Sequence, residues 1–425
     1  MSISHQILII GGGAAGLATA ASLHKRDATL DIAVVEPADK HYYQPGWTMV
    51  GAGVFEKSDT CRDMSAVWPA GVKRIKNEVI SFDPKQNEVI LRDGAIIGYT
   101  TLIVAAGLKL DWDAVEGLND ALGQNGVTSN YRYDLAPYTW ELVQKMAGKN
   151  AIFTQPGMPI KCAGAPQKAM YLSCDHWMKA GKLKDMNVSF CNAGPVLFGC
   201  APYVPPLMKY VDKYGINLDF GHNLVKIDGA AKTAWFKVAK EGADPEIIER
   251  QFDMIHVCPP QCAPDFIRDS ALANAGGWVD VDPATLQHTK FSNIFGLGDV
   301  TSTANAKTVA AARKQAPIVA ENVIAQLAGR NVAPKYDGYG SCPLTVENGK
   351  IILAEFGYGG KVMPTFPWDS TQARRSAWIL KKSILPTVYW SAMLKGREWL
   401  TRTTVWGEAS AVKARGTGIA MHLKV

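Results

Sequence analysis

The sequence has no apolar stretch long enough to cross a bilayer. A spanning helix needs about 20 consecutive, mainly apolar residues, and every apolar run among the 425 residues is shorter. The chain also lacks a charged and then apolar leader with a small-residue cleavage site, because Met1 soon gives way to the buried-strand pattern of Gln6–Ile10. We therefore expect a protein that neither spans a membrane nor is secreted.

The cysteines and histidines exclude two further classes. The eight cysteines are irregularly spaced in a large chain, whereas structural disulfide frameworks belong to small secreted domains. Cys258 and Cys262 form a single C-x-x-x-C without a partner pair, and the eight histidines show no ligand spacing. The sequence therefore predicts no metal site, and any working disulfide in this chain should be catalytic.

Net positive charge is confined to the C-terminal region. The chain is 47% hydrophobic and 20% charged, as a folded globular protein is. Its net charge is +6, but residues 371–425 hold ten Lys/Arg against two Asp/Glu, a net of +8, which leaves about −2 for the rest. We expect this charge to serve a partner that meets the tail, and no nucleic acid.

The N-terminal region carries a dinucleotide fingerprint between a strand and a helix. The strand Gln6–Ile10 leads into a glycine-rich turn, which lets the backbone approach a pyrophosphate at a helix N-terminus. A second strand, 30–35, ends at an acid that can accept from a ribose 2′-OH and that disfavours NADP. The fingerprint comprises Gly11, Gly13, Ala14, Ala15, Gly16 and the acid Glu36.

A second glycine fingerprint, expected near mid-chain, is missing. The strand 150–154 is followed by the loop 155–168, which has no G-x-G-x-x-G and whose prolines remove donors that a pyrophosphate would use. The loop instead holds Cys162, close to a helix that Pro166 begins, beside Lys161 and near Lys168. A helix N-terminus and cations stabilise a thiolate; the alternative is an inert, buried cysteine.

Two later segments complete a flavin-type pattern. An apolar strand, 101–107, ends at the turn residue Gly107, and another, 293–299, ends in Gly298-Asp299. With the N-terminal fingerprint, these segments resemble the two-dinucleotide-domain flavoproteins, which include the pyridine-nucleotide disulfide reductases. The resemblance implies FAD, with Asp299 on its ribityl chain, Gln44 near the flavin and the Val79 backbone at the adenine.

Two cysteine motifs resemble those of one branch of these flavoproteins. The segment 160–168, IKCAGAPQK, is similar to the first active-site motif of mitochondrial-type and related bacterial sulfide:quinone oxidoreductases. The segment 336–344, YDGYGSCPL, followed by ILAEF at 352–356, resembles the second. The similarity runs from about residue 5 to about residue 400 and includes 41–45, 276–282 and 307–308. It implies that Cys162 and Cys342 are the redox pair.

The family resemblance implies a reaction and its partners. Sulfide would attack the oxidised cysteine bridge, a persulfide would pass to a small thiol, sulfite or sulfide, and two electrons would reach a membrane quinone through the flavin. Lys307 is a candidate to stabilise negative charge on reduced flavin; the alternative is a solvated lysine near a helix start. Which cysteine first holds the persulfide stays open.

The tail is predicted to meet the membrane surface. Apolar, Trp and Tyr side chains between Trp378 and Leu400 alternate with Lys and Arg around Pro386, which favours two short interfacial helices joined at the proline. The alternative is a helical hairpin packed on the body. A peripheral protein of the bacterial inner membrane is the location that we expect.

The predicted architecture is α/β, with two Rossmann-like domains and a C-terminal membrane-binding helical segment. We assign residues 1–115 and 280–335 to an FAD domain, 116–279 to a second domain without a nucleotide site, and 336–425 to the C-terminal segment. Rival functions are a type II NADH:quinone oxidoreductase, a flavocytochrome sulfide dehydrogenase subunit, and a non-catalytic flavin-bound scaffold or redox sensor. The first needs the missing fingerprint, and the second would need a secretion signal.

The flavin should be held without a covalent bond. Some bacterial relatives carry a third cysteine near residue 130, but Thr128–Asp134 contains none, so no thiol there can attach the cofactor. Acid or heat denaturation of the purified yellow protein should release the flavin into the supernatant, where its absorbance can be measured. Yellow colour that stays in the pelleted protein would contradict this prediction.

Overall fold

The computed structural model describes residues 3–240, 243–399 and 401. The strands in this part of the chain are β1 (Ile3–Ile10), β2 (Ile32–Val35), β3 (Lys40–Tyr42), β4 (Cys61–Asp63), β5 (Lys73–Ile75), β6 (Val79–Asp83), β7 (Glu88–Leu91), β8 (Ile96–Val104), β9 (Lys109–Leu110), β10 (Val127–Thr128), β11 (Asn150–Gln155), β12 (Asn187–Asn192), β13 (Asn217–Phe220), β14 (His222–Asp228), β15 (Thr233–Lys240), β16 (Ala243–Gln251), β17 (Met254–His256), β18 (Gln261–Cys262), β19 (Ile294–Gly296), β20 (Gly340–Glu347), β21 (Lys350–Phe356) and β22 (Ala373–Arg374).

The α-helices include three long ones that flank the sheets and several of one or two turns. They are α1 (Ala14–Arg26), α2 (Trp47–Val50), α3 (Met64–Val67), α4 (Leu118–Ala121), α5 (Ala136–Lys145), α6 (Ala165–Lys179), α7 (Val204–Tyr214), α8 (Asp265–Arg268), α9 (Val309–Leu327), α10 (Arg375–Ile379) and α11 (Leu385–Ser391). None of the helices between residues 3 and 401 is long and apolar enough to cross a membrane.

The N-terminal half is built on a seven-stranded sheet with the order β5-β2-β1-β8-β7-β6. Its β5, β2, β1 and β8 run parallel, and β19 returns late in the sequence to pair with the end of β8 through residues 294–296. Strands buried on both faces read as continuous apolar runs, as Ile7–Ile10 does here. The carboxyl ends of β1, β8 and β19 therefore meet at one edge, where α1 begins.

The middle of the chain forms a second parallel sheet of five strands, β10-β17-β11-β12-β13. Helices α6 and α7 follow β11 and β12, which is the strand–helix alternation of a Rossmann-like unit. An antiparallel sheet, β14-β15-β16, is inserted before β17. The predicted α/β class with two Rossmann-like halves is confirmed.

A small antiparallel sheet, β20-β21-β22, was not predicted from the sequence. It lies between α6, which packs against β20, and α10, which packs against β21. Side chains alternate between the faces of a strand, so Cys342 and its partner Ala354 face the α6 side, whereas Ser341 and its partner Glu355 face the helices of the tail. The two faces of this sheet therefore meet different parts of the protein.

The packing of residues 263–279 differs from our domain assignment. Ala263, Ile267, Leu272 and Val279 are buried in the core of the first sheet, although we assigned this stretch to the second domain. Residues before this stretch, such as Phe236 and Ile255, are buried in a core of the middle sheets instead. We propose that the boundary lies near residue 262.

The tail helices pack against the body of the protein and are only partly exposed. Residues 375–391 run as α10, a π-helical turn Leu380–Ile384 and α11, because Pro386 falls in the first turn of α11, where its missing N–H is tolerated. Tyr389 and Trp390 are buried against the first core. Ile379 and Ile384 are about half exposed, at 51% and 48%. Leu400 and residues 402–425 lie outside the described residues.

Gly16 should be the glycine of the fingerprint that the fold tolerates least. A Cβ on Gly16 would lie 1.9 Å from the Gly11 carbonyl oxygen, whereas a Cβ on Gly13 would have no atom within 4 Å. We expect Gly16→Ala to lower the free energy of unfolding by at least about 1–3 kcal/mol, since backbone must move. Gly13→Ala is the matched control and should cost about 1 kcal/mol or less as a helix N-cap change. Urea unfolding measures both, and equal losses would contradict the prediction.

Candidate active site

The glycine turn between β1 and α1 is shaped by close backbone contacts. Gly11 has φ +100°, and a Cβ there would lie 2.6 Å from the Ala105 carbonyl oxygen. Glu36, at the end of β2, accepts hydrogen bonds from the backbone N–H groups of Gly12 (2.7 Å) and Ala38 (2.7 Å). The open space at Gly13 and the acid beside the turn fit a dinucleotide whose pyrophosphate meets the start of α1.

Two of the other predicted flavin residues lie at the same sheet edge. Gly107, with φ +70°, follows β8, and Asp299 follows β19 in a short turn that begins at Gly298. Gly298 approaches α1, because a Cβ there would lie 3.0 Å from the Cβ of Ala15. Val79 instead begins β6, the last strand of the sheet.

Lys307 is buried rather than solvated. Its ammonium donates to the carbonyl oxygens of Asp299 and Thr301, each at 2.8 Å, and lies 4.1 Å from the centre of the Trp278 ring. Burial lowers the pKa of Lys307 to about 8, although the nearby Asp299 carboxylate opposes the shift. Burial also raises the pKa of Asp299. Lys307 is therefore a fixed basic group in the cavity that Asp299 also lines.

The structure brings the two predicted redox cysteines together from positions 180 residues apart. The sulfur atoms of Cys162 and Cys342 are 3.2 Å apart, and both residues are free thiols. This gap exceeds a disulfide bond of about 2.05 Å. It is also shorter than two such bonds, so one further sulfur atom can bridge the pair at a bent angle. The arrangement suits a bridge that opens and closes.

Cys162 is held in a strained conformation. Its φ of +51° lies in the left-handed region, which a non-glycine residue adopts only when its surroundings enforce it. The backbone N–H of Cys162 donates to the Lys307 carbonyl oxygen (2.8 Å), and its carbonyl accepts from Ala165 (2.7 Å). A Cβ on Gly164 would come within 3.1 Å of the Cys342 sulfur, so glycine there lets the loop reach β20.

The two thiols differ in acidity because of their neighbours. The Cys342 thiol beside its sulfur holds the pKa of Cys162 well below the usual value, and the Lys168 ammonium, 3.0 Å away on the first turns of α6, adds to the shift against the effect of burial. The same contact with Cys162, together with burial, raises the pKa of Cys342. Cys162 is thus the thiolate of the pair.

Lys381 is a buried cation at the cysteines that sequence reasoning missed. It sits in the π-helical turn, is 4% exposed, and donates to Thr345 Oγ1 at 2.9 Å. Burial lowers its pKa well below the usual value, and Lys168 adds to that effect. Lys381 is one of ten basic residues in the tail, and no pattern in the sequence distinguishes it as buried.

A single cavity joins these groups. Gln44, Cys162, Asp299 and Lys307 all line it, and Lys161 connects two of its walls by donating from its ammonium to Gln44 Oε1 at 2.7 Å. The wall opposite is apolar and aromatic and comes from the tail and the segment before it: Phe366, Leu380, Ile384, Leu385, Val388, Tyr389 and Met393. The glycine turn, Val79 and Gly107 lie outside the lining.

His41 ties the tail to the glycine turn. Its Nδ1 lies 3.2 Å from the Gly12 carbonyl oxygen, and its Nε2 lies 2.6 Å from Tyr389 Oη. A carbonyl only accepts, so Nδ1 must carry the proton and Nε2 must accept from the tyrosine. Burial lowers the pKa of His41 to about 4, which keeps the ring neutral. The aromatic wall is therefore fixed to the dinucleotide turn by one imidazole.

The mid-chain loop offers little to a second nucleotide. Strand β11 is followed by a loop with Pro156 and Pro159, and α6 begins only at Ala165.

No group of three or more His, Cys, Asp or Glu side chains among residues 3–240, 243–399 and 401 is arranged to hold a metal. Cys258 is buried, and burial raises its pKa to about 12.

Comparison with known proteins agrees with this geometry. Residues 5–140 match the family model described as pyridine nucleotide-disulphide oxidoreductase. The chain is similar to the mitochondrial sulfide:quinone oxidoreductases of Dictyostelium discoideum, at 43% identity over 94% of this chain and 88% of that protein, and of Mus musculus, at 37% over 92% and 87%.

A solved structure shares the whole fold. The sulfide:quinone oxidoreductase of the hyperthermophilic bacterium Aquifex aeolicus superposes with a TM-score of 0.75 and 19% identity, covering 93% of this chain and 92% of that one. At this identity the likeness shows the fold alone. The identity shared with the two mitochondrial relatives over nearly the full chain carries the assignment, and the chain belongs to the sulfide:quinone oxidoreductase family.

Proposed function

We propose that this flavoprotein oxidises sulfide at the Cys162–Cys342 pair and passes two electrons to a membrane quinone. The single observation that carries the proposal is the approach of the two sulfur atoms to 3.2 Å within reach of a cavity that Asp299 and Lys307 also line. The family membership supports sulfide as the donor and quinone as the acceptor.

The chemistry at the cysteines is thiol–disulfide exchange. Hydrosulfide forms a bond to one sulfur of the oxidised bridge, the bridging S–S bond breaks, and the other sulfur leaves with the electron pair. The sulfur with the lower pKa leaves faster, and Lys168 gives that role to Cys162. We therefore propose attack at Cys342, which then carries the persulfide. A small thiol, sulfite or sulfide removes the outer sulfur, and Cys342 leaves with the electron pair as a thiolate. The bridge re-forms when the two cysteine sulfurs give up two electrons, which a bound flavin would accept.

The cofactor that we propose is FAD, bound without a covalent link. Gly11, Gly13 and Gly16 shape the turn for its pyrophosphate, and Glu36 is placed for the adenosine ribose. We assign Asp299 to the ribityl chain, Gln44 to the flavin ring and the Val79 backbone to the adenine. When bound, the flavin relays the two electrons; Lys307 supplies fixed positive charge beside it.

The electron exit that we propose lies under the tail helices. The apolar wall of the cavity contains Phe366, Leu380 and Val388, which suits a quinone ring. The exposed Ile379 and Ile384 and the basic residues of the tail support attachment to a membrane surface. A peripheral position on the bacterial inner membrane is our proposal for the location.

Both cysteines should be essential for flavin reduction by sulfide. We expect Cys162→Ser and Cys342→Ser each to reduce the anaerobic rate at least a hundredfold, since serine forms no sulfur–sulfur bond, while Cys174→Ser should keep near wild-type rates because Cys174 is buried away from the cavity. Stopped-flow bleaching of the flavin measures this, with flavin content and melting temperature as folding controls. A folded, flavin-loaded variant of either cysteine that is reduced normally would refute the mechanism.

The same assay separates the rival functions. NADH in place of sulfide should leave the flavin oxidised, because the loop after β11 lacks the glycine turn. Fast reduction by NADH would favour the type II dehydrogenase, and no steady-state turnover with sulfide and a short-chain quinone would favour a scaffold or sensor.

Lys168 should set the pH dependence of Cys162. Removing the ammonium in Lys168→Met raises the pKa of Cys162, so the thiolate fraction at neutral pH falls. We expect the midpoint of the alkylation rate against pH to move up by about 1–3 units. Iodoacetamide labelling of the phosphine-reduced protein, followed by mass spectrometry of Cys162, measures it. Lys179→Met, on the same helix but exposed and paired with Asp175, is the control, and matching profiles for the two variants would overturn the prediction.

A further inference from the structure

Quinone reduction at this site needs a proton from outside, an argument that rests on the proposed function. A quinone takes up two electrons and two protons to become a quinol. Hydrosulfide oxidised to bound sulfane sulfur releases two electrons and one proton. Each turnover at neutral pH must therefore import one proton into a cavity whose wall beneath the tail is apolar.

Glu355 is placed to handle that proton. Of the residues that line the described cavity, only Asp299 and Glu355 are carboxylic acids, and Asp299 belongs to the flavin turn. Glu355 lies on β21, is 3% exposed, and pairs with Ser341 on the sheet face that turns toward the tail helices. It thus lines the cavity together with the apolar side chains of the tail, whereas Cys342 lies on the opposite face of the same sheet.

The Glu355 carboxylate is held by three donors. Tyr339 Oη and Thr365 Oγ1 each donate to its Oε1 at 2.5 Å, and the Thr365 backbone N–H donates to Oε2 at 3.0 Å. Thr365 is half-buried and belongs to the segment after β21 that also supplies Phe366 to the cavity. Its hydroxyl gives the buried carboxylate a hydrogen-bonded connection toward the surface.

The charged neighbours of Glu355 come from several elements. On α9, the Lys314 ammonium lies 4.5 Å from the centre of the Tyr339 ring, and Arg313 lines the cavity. Burial lowers the pKa of both cations. Asp337 accepts from the Tyr339 backbone N–H, and on the far side Tyr203 Oη donates to the Glu355 carbonyl.

Lys381 is a rival proton donor that the geometry disfavours. Its ammonium is bonded to Thr345 Oγ1, and its pKa responds to both cysteines. Lys381 therefore interacts electrostatically with the two cysteines, where a positive charge would stabilise a thiolate. Glu355 lies on the sheet face opposite Cys342 and lines the cavity with the apolar side chains of the tail.

We propose that Glu355 is the proton-transfer group for quinone reduction. As the electrons reach the quinone, the Glu355 O–H bond breaks, its proton forms the O–H bond of the quinol, and a carboxylate remains. Solvent returns the proton through the Thr365 hydroxyl. The second proton of the quinol is matched by the proton that hydrosulfide releases. The net uptake is therefore one proton in each turnover, and it enters through Glu355.

Glu355→Gln in the full-length holoenzyme tests this proposal. Glutamine keeps most hydrogen-bonding contacts but cannot deliver an acidic proton. We expect anaerobic flavin reduction by sulfide within twofold of wild type, and flavin reoxidation by a short-chain quinone slowed about a hundredfold, the usual range for loss of a general acid. The affinity for a redox-inactive quinone analogue, titrated by flavin absorbance, should change less than threefold. Glu355→Asp should restore part of the reoxidation rate.

Glu347→Gln is the matched control. Glu347 ends β20, on the strand next to Glu355, but forms surface ion pairs with Lys213 and Lys350, so both half-reactions should stay normal. Reoxidation of Glu355→Gln at the wild-type rate would overturn the proposal, as would a loss of analogue affinity that accounts for the slowing. If sulfide fails to reduce the flavin of the wild type, the proposed function fails instead.

Discussion

The contact between the Cys162 and Cys342 sulfur atoms is the constraint on which the rest of the site depends. One sulfur lies in a strained loop before α6 and the other on β20, so the middle sheet and the C-terminal sheet must dock with an accuracy well below the length of a side chain. Gly164 permits the approach because a larger residue would strike Leu344 and Cys342. Lys168 and Lys381 then enclose the pair in positive charge, which favours anionic sulfur over neutral thiol.

The small sheet that carries Cys342 positions two of the groups that we propose to handle electrons and protons. Side chains alternate between its faces, so Cys342 lies on one face and Glu355 on the other. Cys162 and the apolar side chains of the tail line different parts of one cavity.

Much of the fold and the central residues could be predicted from the sequence. The glycine turn with its strands, the missing second fingerprint and the two cysteine motifs each carry a local pattern. Lys381, His41 and the β20-β21-β22 sheet could not be predicted, because their roles arise from contacts across the chain. His41 meets Tyr389 across 348 positions, and no periodicity distinguishes the buried Lys381 from the exposed basic residues around it. Tyr389 and Trp390 are a similar case, because their composition suits a membrane interface but both are buried against the first core.

The imidazole link between Gly12 and Tyr389 has a consequence for how this protein can be divided. A chain cut after residue 371 would lose more than the membrane contact that we propose. It would remove Lys381 from the sulfur pair, strip Tyr389 and Trp390 from the first core, and leave the His41 Nε2 without its donor beside the dinucleotide turn. The tail helices therefore pack as the last layer of the first domain. The surface attachment that we propose for them cannot be removed without disturbing the glycine turn.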